Sequence, residues 1–309
     1  MQKILFLTGA LGFAGKHYYS NYKNEWDKVI VYDKKTYAAD LKFFLKYKRK
    51  KDIFIKGDIC DYNKLKKVML KNCFVIHFAA ESHVDNSFFS SLIFTKTNAL
   101  GTHTLLEVCR LKNNKKITII STDEVYGETI KQKNELSILE PTNPYSASKT
   151  SADIISQTYF KCYKLPISIV RANNLYGDYQ HIEKIIPATI NAINSGTKLK
   201  IHGKGKSIRN FLHVEDFANA VHLINQKSKN GQIYNVKGNY KIRMINLVKN
   251  LCYLSKKKIS EVSDFVKDRP FNDFTYNISD KKIKLLGWKE RKKFETEIIK
   301  ILKNNLVLK

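Results

Sequence analysis

The segment TGALGFAG, residues 8–15, decides the fold class of this 309-residue chain. It follows an apolar run at Lys3–Thr8 and places glycine at every third position, at Gly9, Gly12 and Gly15. Glycines with this spacing, between a strand and a helix, permit a tight turn and let backbone amides approach a pyrophosphate at the positive helix N-terminus. We therefore predict a strand, a glycine-rich turn and a helix that together bind a dinucleotide.

Short apolar runs separated by helix-length segments continue beyond this motif. The runs lie at Lys28–Tyr32, Ile53–Ile55, Cys73–Phe78, Ile117–Ser121 and Ile167–Arg171, and amphipathic stretches lie at Thr95–Leu111 and Ala147–Tyr163. Runs of this length indicate buried strands, and the longer periodic stretches indicate helices. Their alternation predicts an α/β fold with a Rossmann-like, doubly wound parallel sheet, whose ligands sit at the carboxyl ends of the strands.

The pattern becomes irregular and rich in turns after Arg171. We expect residues 1–171 to form the dinucleotide-binding domain. A predicted helix at His213–Ile224 and a predicted strand at Gln232–Val236 suggest that the chain returns to this domain around residues 213–236. Residues 172–212 and 237–309 should then form a smaller C-terminal lobe, which covers the strand ends and binds the substrate.

Acidic residues follow the second and third predicted strands. Asp33 lies 18 residues past the last glycine of the turn, where a carboxylate accepts hydrogen bonds from both ribose hydroxyls and repels a 2′-phosphate. This favours NAD over NADP, although the adjacent Lys34 and Lys35 weaken the preference. Asp58 and Ile59 follow the third strand, where they would hold the adenine edge.

Tyr145 and Lys149 are four residues apart, which places them on one face of a helix. An ammonium group beside a phenol, with a nicotinamide cation near both, should lower the tyrosine pKa from about 10 toward neutrality. Tyr145 is therefore a candidate base that removes an alcohol proton during oxidation.

Thr122, Asp123 and Glu124 follow the strand predicted at Ile117–Ser121. A polar turn without chemistry is one interpretation of this triple. The alternative is that oxidation of an alcohol acidifies the hydrogen on the next carbon, so that a carboxylate base and a carboxylic acid could remove that proton and expel a β-hydroxyl as water. Adjacent side chains on extended backbone point in different directions, which would let them reach two substrate atoms.

Composition excludes several classes of protein. The formal charge of +27 is spread along the chain, Arg supplies only 7 of 55 basic residues, and no nucleic-acid-binding motif accompanies them. The five cysteines are far apart, which argues for reduced thiols and against a disulfide framework or a metal site. No apolar run is long enough to span a membrane. We expect a cytoplasmic protein with no metal and no membrane partner.

The chain resembles the extended short-chain dehydrogenase/reductase family, and within it the nucleotide-sugar 4,6-dehydratases. The likeness runs from about Ile4 to Trp288. It consists of TGALGFAG (8–15), HFAAESHVDNS (77–87), STDEVYG (121–127), NPYSASK (143–149), NNLYG (173–177), IRNFLHVED (208–216) and DRPFND (268–273). Related sugar epimerases and decarboxylases lack the Asp-Glu pair of STDEVYG, so the resemblance points to a dehydratase.

This resemblance implies a reaction and a role for each residue of the triple. Tyr145, assisted by Lys149 and Thr122, takes the proton of the sugar 4-hydroxyl while C4 hydride passes to NAD. Glu124 removes the C5 proton, and protonated Asp123 donates to the departing 6-hydroxyl. Hydride then returns to C6, which gives a 4-keto-6-deoxy sugar and leaves NAD bound.

The resemblance also implies two sets of binding residues. The NAD site would comprise Gly9, Gly12, Phe13, Ala14, Gly15, Asp33, Lys34, Thr36, Asp58, Ile59, Ala79, Ala80, Thr97, Tyr145 and Lys149. The sugar nucleotide would contact Ser82, Thr122, Asn174, Lys184, Arg209, Arg269 and Asn272. The two arginines suit a diphosphate because a guanidinium presents a fork of donors, although each could instead form a surface salt bridge.

Departures from the family pattern bear on the substrate. The stretch from Arg269 to Asp273 reads RPFND, as in the UDP-glucose 4,6-dehydratases of plant rhamnose synthesis, and not RPGHD as in bacterial dTDP-glucose enzymes. UDP-glucose is therefore the favoured substrate. The altered loop from Gly177 to Lys184 leaves UDP-N-acetylglucosamine open, with or without inversion at C5, and dTDP-glucose is a further alternative. A non-catalytic dinucleotide- or nucleic-acid-binding protein is the most distant alternative.

The two long predicted helices also suggest an oligomer. Their apolar faces comprise Leu105, Leu106 and Val108 on the first helix, and Ile154, Ile155 and Tyr159 on the second. In the family the corresponding helices pair across a two-fold axis. We therefore predict a homodimer with a four-helix contact, and simple packing of these faces on the sheet is the alternative.

Overall fold

Parallel strands joined by helices form the centre of the molecule, which confirms the predicted α/β class. The structure is a computed structural model and describes residues 2–306. The strands are β1 (Ile4–Thr8), β2 (Lys28–Asp33), β3 (Ile53–Lys56), β4 (Phe74–His77), β5 (Lys116–Thr122), β6 (Ile167–Ala172), β7 (Asn174–Tyr176), β8 (Leu199–His202), β9 (Ile208–His213), β10 (Gln232–Val236), β11 (Tyr240–Arg243) and β12 (Ser263–Val266). The α-helices are α1 (Phe13–Tyr22), α2 (Leu41–Tyr47), α3 (Tyr62–Val68), α4 (Val84–Phe89), α5 (Ser91–Phe94), α6 (Gly101–Lys112), α7 (Pro144–Tyr163), α8 (Ile185–Ser195), α9 (Val214–Lys227), α10 (Met244–Leu254), α11 (Ile259–Val262), α12 (Lys281–Leu285) and α13 (Phe294–Asn305).

The main sheet holds its strands in the order β10-β6-β5-β4-β1-β2-β3, and every neighbouring pair is parallel. Helices cover both faces of such a sheet, which is why its strands appear in the sequence as continuous apolar runs. Each strand predicted from those runs is present, and its ends differ from the prediction by one residue at most. The carboxyl ends of β1, β2, β4, β5 and β6 lie along the same edge of the sheet.

The two long helices differ in detail from their predictions. The first is divided, because a π-helical segment, Thr95–Leu100, precedes α6. Leu105, Leu106 and Val108 are fully buried in the core that packs on the sheet. The second helix, α7, begins at Pro144, three residues before its predicted start.

A second unit lies beside the strand ends and contains two small sheets, β11-β9-β7 and β12-β8. Its apolar core includes Tyr176, Phe211, Leu247 and Phe294, and the ring of Phe294 stacks on Tyr240 with centroids 3.8 Å apart. Between β9 and β11 the chain returns to the main sheet through α9 and β10. The division of the chain into a dinucleotide-binding domain and a substrate-binding lobe stays a prediction, and its outermost residues, 1 and 307–309, lie outside the described residues.

A buried ion pair fixes the strands beneath the predicted site. Arg171 at the end of β6 donates to both carboxylate oxygens of Asp153 on α7, at 2.8 and 2.9 Å, and both side chains are almost fully buried. The same guanidinium donates to the Tyr126 hydroxyl at 2.6 Å, and the Ser121 hydroxyl donates to Asp153 at 3.2 Å. These bonds hold β5, β6 and α7 in one fixed arrangement.

Candidate active site

A cavity of about 910 Å³ opens at the carboxyl ends of the main-sheet strands. Most of the residues predicted for the site line this cavity. They are Gly9, Gly12, Phe13, Ala14, Gly15, Asp33, Lys34, Thr36, Asp58, Ile59, Ala79, Ala80, Ser82, Thr97, Thr122, Asp123, Glu124, Tyr145, Lys149, Asn174 and Lys184. The strand order brings them together, because each group of residues follows the end of a different parallel strand.

Three predicted substrate contacts lie outside the lining of this cavity. Arg209 lies over the ring of Tyr276, with its guanidinium carbon 4.6 Å from the ring centroid. Arg269 forms an ion pair with Asp85. Asn272 donates to the carboxylate of Asp268 at 2.9 Å. The structure therefore gives each of these side chains a partner within the protein.

The glycine-rich turn leaves room only for backbone. Gly9 has a φ of +67°, and a Cβ there would lie 2.3 Å from the amide nitrogen of Ala79. A Cβ on Gly15 would lie 2.3 Å from the carbonyl oxygen of Gly9. Helix α1 begins directly after Gly12, so its first backbone N–H groups have no helical partners, and the residues that carry them, Phe13, Ala14 and Gly15, line the cavity. This cradle fits the pyrophosphate of a dinucleotide.

Asp33 is held rigidly where a ribose would lie. Its carboxylate accepts hydrogen bonds from the backbone amides of Leu11, at 3.0 Å, and Lys35, at 2.8 Å. Burial raises the pKa of Asp33, and these two bonds oppose that rise. The ammonium of Lys34 is 2.8 Å from the carboxylate of Asp58, so its charge is already paired. A carboxylate at the ribose position beside a paired lysine fits NAD better than NADP.

Thr122 is the last residue of β5, and Asp123 and Glu124 begin the 3₁₀ turn that follows it, Asp123–Tyr126. The Thr122 hydroxyl donates to Asp123 at 3.3 Å and accepts from the Glu124 amide at 3.3 Å. Asp123 is buried, and burial together with the Glu124 charge raises its pKa to about 7, although a hydrogen bond from Asn173 opposes this. Burial also raises the pKa of Glu124, against the charge of Arg209. A carboxyl group with a pKa near neutrality can act as an acid at physiological pH.

Helix α7 presents the tyrosine and the lysine to the same cavity. Asn143 caps the helix by accepting from the Ser146 amide at 2.8 Å, and Pro144 begins its first turn. The Lys149 ammonium donates to the carbonyl oxygen of Ile120 at 2.6 Å, and burial lowers its pKa to about 8. Most of these ammonium groups are therefore charged at pH 7.

The protein's own groups do not lower the pKa of the tyrosine, and the lowering predicted with a nicotinamide cation nearby stays a prediction. Burial raises the pKa of Tyr145 well above its ordinary value, and the charges of Glu124 and Asp123 raise it further. A hydrogen bond with Thr122 opposes the rise. The helix-spacing argument considered neither the burial, which is the largest cause, nor the two carboxylates.

Four residues of the site were not found in the sequence. Asn173 donates to Asp123 across 50 positions of the chain, and Tyr276 lies 3.4 Å from the Glu124 carboxylate across 152. Asp273 accepts from the Tyr276 hydroxyl at 2.6 Å, and Asn143 donates to Glu124 at 3.4 Å. Only Asn143 had a local signal, because an asparagine directly before Pro144 is a typical helix cap.

The loop that departs from the family pattern covers the cavity. The Tyr37 hydroxyl donates to Glu183 at 3.3 Å, and the Tyr37 ring meets His181 edge-on with centroids 5.3 Å apart. At the start of the loop, the ring of His17 bonds to the carbonyl oxygen of Asp178 at 2.9 Å. These contacts connect the loop after β7 to the segment after β2 and to α1.

Comparison with known proteins identifies the family. Residues 6–301 match the family model described as GDP-mannose 4,6 dehydratase. The chain belongs to this family. It is an NAD-dependent nucleotide-sugar 4,6-dehydratase of the extended short-chain dehydrogenase/reductase class. The predicted family, enzyme class and cofactor are thereby confirmed.

Individual relatives differ in the nucleotide that their names carry. The chain is 38% identical to a dTDP-D-glucose 4,6-dehydratase of Dictyostelium discoideum, over 99% of this chain and 82% of that protein. It is also 38% identical, over 97% of its length, to the trifunctional UDP-glucose 4,6-dehydratase/UDP-4-keto-6-deoxy-D-glucose 3,5-epimerase/UDP-4-keto-L-rhamnose-reductase RHM2 of Arabidopsis thaliana, of which it spans 46%.

The fold agrees with that of a solved dehydratase. The dTDP-glucose 4,6-dehydratase DesIV of Streptomyces venezuelae, crystallised with NAD bound, has a TM-score of 0.93 and 32% identity to this chain. The match covers 97% of this chain and 96% of DesIV.

Among residues 2–306, no helix could cross a membrane and no group of three or more His, Cys, Asp or Glu side chains is placed to hold a metal ion.

Proposed function

We propose that the protein converts UDP-glucose into UDP-4-keto-6-deoxy-glucose. The observation that carries this proposal is the meeting of Asp123 and Glu124 with Tyr145 and Lys149 at one cavity. An oxidoreductase needs only a base and a dinucleotide, so the buried Asp123 and the half-buried Glu124 beside them indicate a second chemical step. Elimination of water next to an oxidised carbon uses one base and one acid, which the carboxyl pair can supply.

The first step is the oxidation of the sugar at C4. When bound, NAD supplies the two-electron oxidation and later re-reduction of the sugar, and its oxidised ring brings positive charge into the cavity. Tyr145 accepts the proton of the 4-hydroxyl, with Thr122 as its hydrogen-bond partner. The charge of Lys149 favours the phenolate, against the burial and the two carboxylates that keep the phenol protonated.

The second step removes water across C5 and C6. Glu124 takes the C5 proton, which the new C4 carbonyl has made acidic. Asp123 is protonated below its pKa of about 7 and gives its proton to the departing 6-hydroxyl, so that one water molecule leaves. Re-reduction at C6 and the return of a proton from Glu124 to C5 complete the product. The proton that Tyr145 took from the 4-hydroxyl then returns Asp123 to its protonated form, directly or through solvent. The sugar loses one water overall and the cofactor ends as it began, so it has no need to leave between turnovers.

Recognition of the sugar nucleotide involves the remaining predicted residues. Ser82, Asn174 and Lys184 line the cavity, and the Lys184 ammonium donates to the carbonyl oxygen of Ser82 at 2.8 Å. Arg209 and Arg269 remain the candidates for the diphosphate, and Asn272 for a neighbouring oxygen. To bind a diphosphate, Arg269 must share or release Asp85, which is its partner in the structure.

The choice of UDP-glucose rests on the RPFND stretch at residues 269–273 and on the likeness to the plant enzyme. Likeness to a dTDP-glucose dehydratase at equal identity keeps dTDP-glucose as a candidate. The altered loop at residues 177–184 keeps UDP-N-acetylglucosamine as another. The test is to incubate the protein with each of the three in turn and weigh the products. Loss of water from UDP-glucose at the highest kcat/KM is expected.

Two other results would contradict the proposal. A preference for dTDP-glucose or UDP-N-acetylglucosamine would replace the substrate but keep the reaction. Salt-sensitive binding of duplex DNA, together with no water loss from any of the three, would instead favour the non-catalytic alternative. The proton at C5 of each product, observed by NMR, also reports whether C5 has been inverted.

Of the residues predicted for the homodimer contact, Ile154 stays in the proposal, whereas the three residues of the first helix do not. Leu105, Leu106 and Val108 are buried against the sheet and cannot face a partner. The apolar side chains that remain exposed on this side include Phe89, Leu92, Leu100 and Ile154, and Phe89 and Leu92 are 88% and 84% exposed. We expect these to meet their copies across a two-fold axis. A monomeric mass by light scattering at micromolar concentration would contradict this.

The cytoplasm remains the proposed location. All five cysteines are unpaired in the structure, and Cys73, Cys109 and Cys252 are buried. Unpaired thiols persist in a reducing compartment. Cell fractionation with an antibody to the protein tests this expectation, and recovery from an oxidising compartment would contradict it.

A further inference from the structure

A buried amide touches the residue to which the proposed function gives the role of acid. Asn173 lies between β6 and β7, where the chain leaves the main sheet, and its side chain is 4% exposed. Its Nδ2 donates to Oδ2 of Asp123 at 2.5 Å. This is the shortest of the hydrogen bonds described here for the Thr122-Asp123-Glu124 triple.

The orientation of this amide is fixed by its other atoms. Its Oδ1 accepts from the backbone N–H of Gly238 at 3.1 Å, and its own backbone N–H donates to the carbonyl oxygen of Val236 at 3.2 Å. A rotated amide would place NH₂ against the Gly238 N–H and oxygen against a carboxylate, so only one orientation satisfies both contacts.

The support for the amide comes from three elements. A Cβ on Gly238 would lie 2.0 Å from the carbonyl oxygen of Phe211, so the Gly238 backbone packs directly on β9. Its carbonyl oxygen accepts from the Asn210 side chain at 2.8 Å. Because β6, β9 and the segment after β10 all hold Asn173 in place, the amide can impose one position on Asp123.

The contact also acts on the charge of Asp123. A donor to a carboxylate favours its ionised form, whereas burial and a neighbouring carboxylate favour the neutral form. The Thr122 hydroxyl donates to the second oxygen, Oδ1, at 3.3 Å, so each oxygen of Asp123 has one donor. The donor from Asn173 is the shorter and the more deeply fixed of the two.

We propose that Asn173 is a positioning residue, which orients Asp123 toward the sugar 6-hydroxyl and strengthens it as an acid. This inference rests on the proposed function. A general acid works best when its pKa lies near the working pH, because a weaker acid gives up its proton more slowly. Once Asp123 has given its proton away, the same amide stabilises the carboxylate that remains in a buried place.

Three other titratable groups interact with Asp123. They are Glu124 on its own turn, Tyr145 on α7 and Arg209 on β9. None of them contacts Asn173 in a hydrogen bond described here. A change in the acidity of Asp123 on substitution of Asn173 therefore reports the amide itself.

The main experiment replaces Asn173 by leucine, which has a similar size but no donor. The alkaline limb of the kcat profile should move to higher pH by roughly one unit, because loss of a donor to the carboxylate raises the Asp123 pKa. At pH 7 water loss should slow on the order of tenfold, a fraction of what general acid catalysis supplies. KM for UDP-glucose and the rate of C5 deuterium exchange in D₂O should be unchanged.

A double-mutant comparison separates positioning from folding. In an Asp123→Asn background, Asn173→Leu should slow water loss no further, because its effect passes through Asp123. An equal penalty in both backgrounds, or an unmoved alkaline limb, would overturn the proposal. Asn173→Ser keeps a hydroxyl donor, so the alkaline limb of its kcat profile should lie between those of the parent and the leucine variant. This variant also tests the proposal if the leucine variant does not fold.

An infrared titration provides a readout that does not require turnover. The carboxyl band lost in Asp123→Asn should titrate near pH 7 in the parent and at higher pH in Asn173→Leu and, less so, in Asn173→Ser. An identical midpoint in all of them would refute the inference. If the parent releases water from no sugar nucleotide, the proposed function fails, whereas an active parent with unchanged midpoints removes only the role of Asn173.

Discussion

Replacing Asp123 by asparagine should stabilise the folded protein, and the gain should depend on pH. Burial raises the pKa of this carboxyl group from its ordinary 3.8 to about 7. A group with a raised pKa in the folded state favours folding only while it is protonated. Its contribution is fully present below pH 3.8 and is lost as the pH rises through 7. Asparagine has a similar shape and never ionises, so the variant escapes this loss.

The size of the effect follows from the two pKa values. Because the unfolded chain releases this proton more readily than the folded protein does, the raised pKa lowers the unfolding free energy by about 4 kcal/mol at pH 8 and by about 1.5 kcal/mol at pH 5. The difference in unfolding free energy between Asp123→Asn and the parent should therefore grow by about 2.5 kcal/mol from pH 5 to pH 8. The pKa of about 7 already includes the hydrogen bonds from Asn173 and Thr122 to the carboxylate, and the hydrogen bonds of an asparagine at this position do not vary with pH.

Urea denaturation followed by tryptophan fluorescence measures this difference. Trp26 and Trp288 are both 1% exposed, so their emission reports loss of the folded core. Asp264→Asn is the matched control, because that side chain is 63% exposed and should give the same stability difference at both pH values. A difference for Asp123→Asn that is equal at pH 5 and pH 8 would refute the raised pKa.

Three further predictions follow from the geometry. Gly15→Ala should release the cofactor, because its Cβ would lie 2.3 Å from the Gly9 carbonyl oxygen, and the nucleotide recovered from denatured protein measures this. In D₂O, Glu124→Gln should oxidise C4 without incorporating deuterium at C5, whereas Asp123→Asn should exchange C5 and lose water about 10²–10⁴ times more slowly. Exchange in Glu124→Gln as fast as in the parent would show that the base lies elsewhere. Arg171→Met should destabilise the protein by about 3–5 kcal/mol in urea, because Asp153 would remain buried and unpaired, and adding Asp153→Asn should recover part of this.

The main sheet could be predicted from the sequence because each of its strands is buried on both faces. A continuous apolar run carries that information locally, which is why the strand ends differ from the prediction by one residue at most. The pairing in the lobe had no such signal. Strands β8 and β12 run parallel although Leu199 and Ser263 lie more than sixty positions apart, and neither short sequence indicates the strand with which it pairs.

The candidate site divides in the same way. Residues that follow the ends of main-sheet strands were predicted, because the fold class alone brings those ends together. Asn173 and Tyr276 were not, because their contacts with Asp123 and Glu124 depend on how the lobe folds back on the sheet. The raised pKa of Tyr145 was missed for a related reason. Desolvation depends on how deeply a group is buried, which helix spacing does not reveal.

The carboxyl groups of the site lie close together although their negative charges repel each other. Asp123, Glu124 and Asp273 lie within one network, in which the Asp273 charge raises the Glu124 pKa and the Glu124 charge raises that of Asp123. Arg209 opposes both shifts from the side of the lobe. An arrangement selected for stability alone would separate such groups or replace them by amides. If Asp123→Asn gains stability as the pH rises and loses water elimination, the same burial that weakens the fold is what makes this carboxyl group an acid at neutral pH.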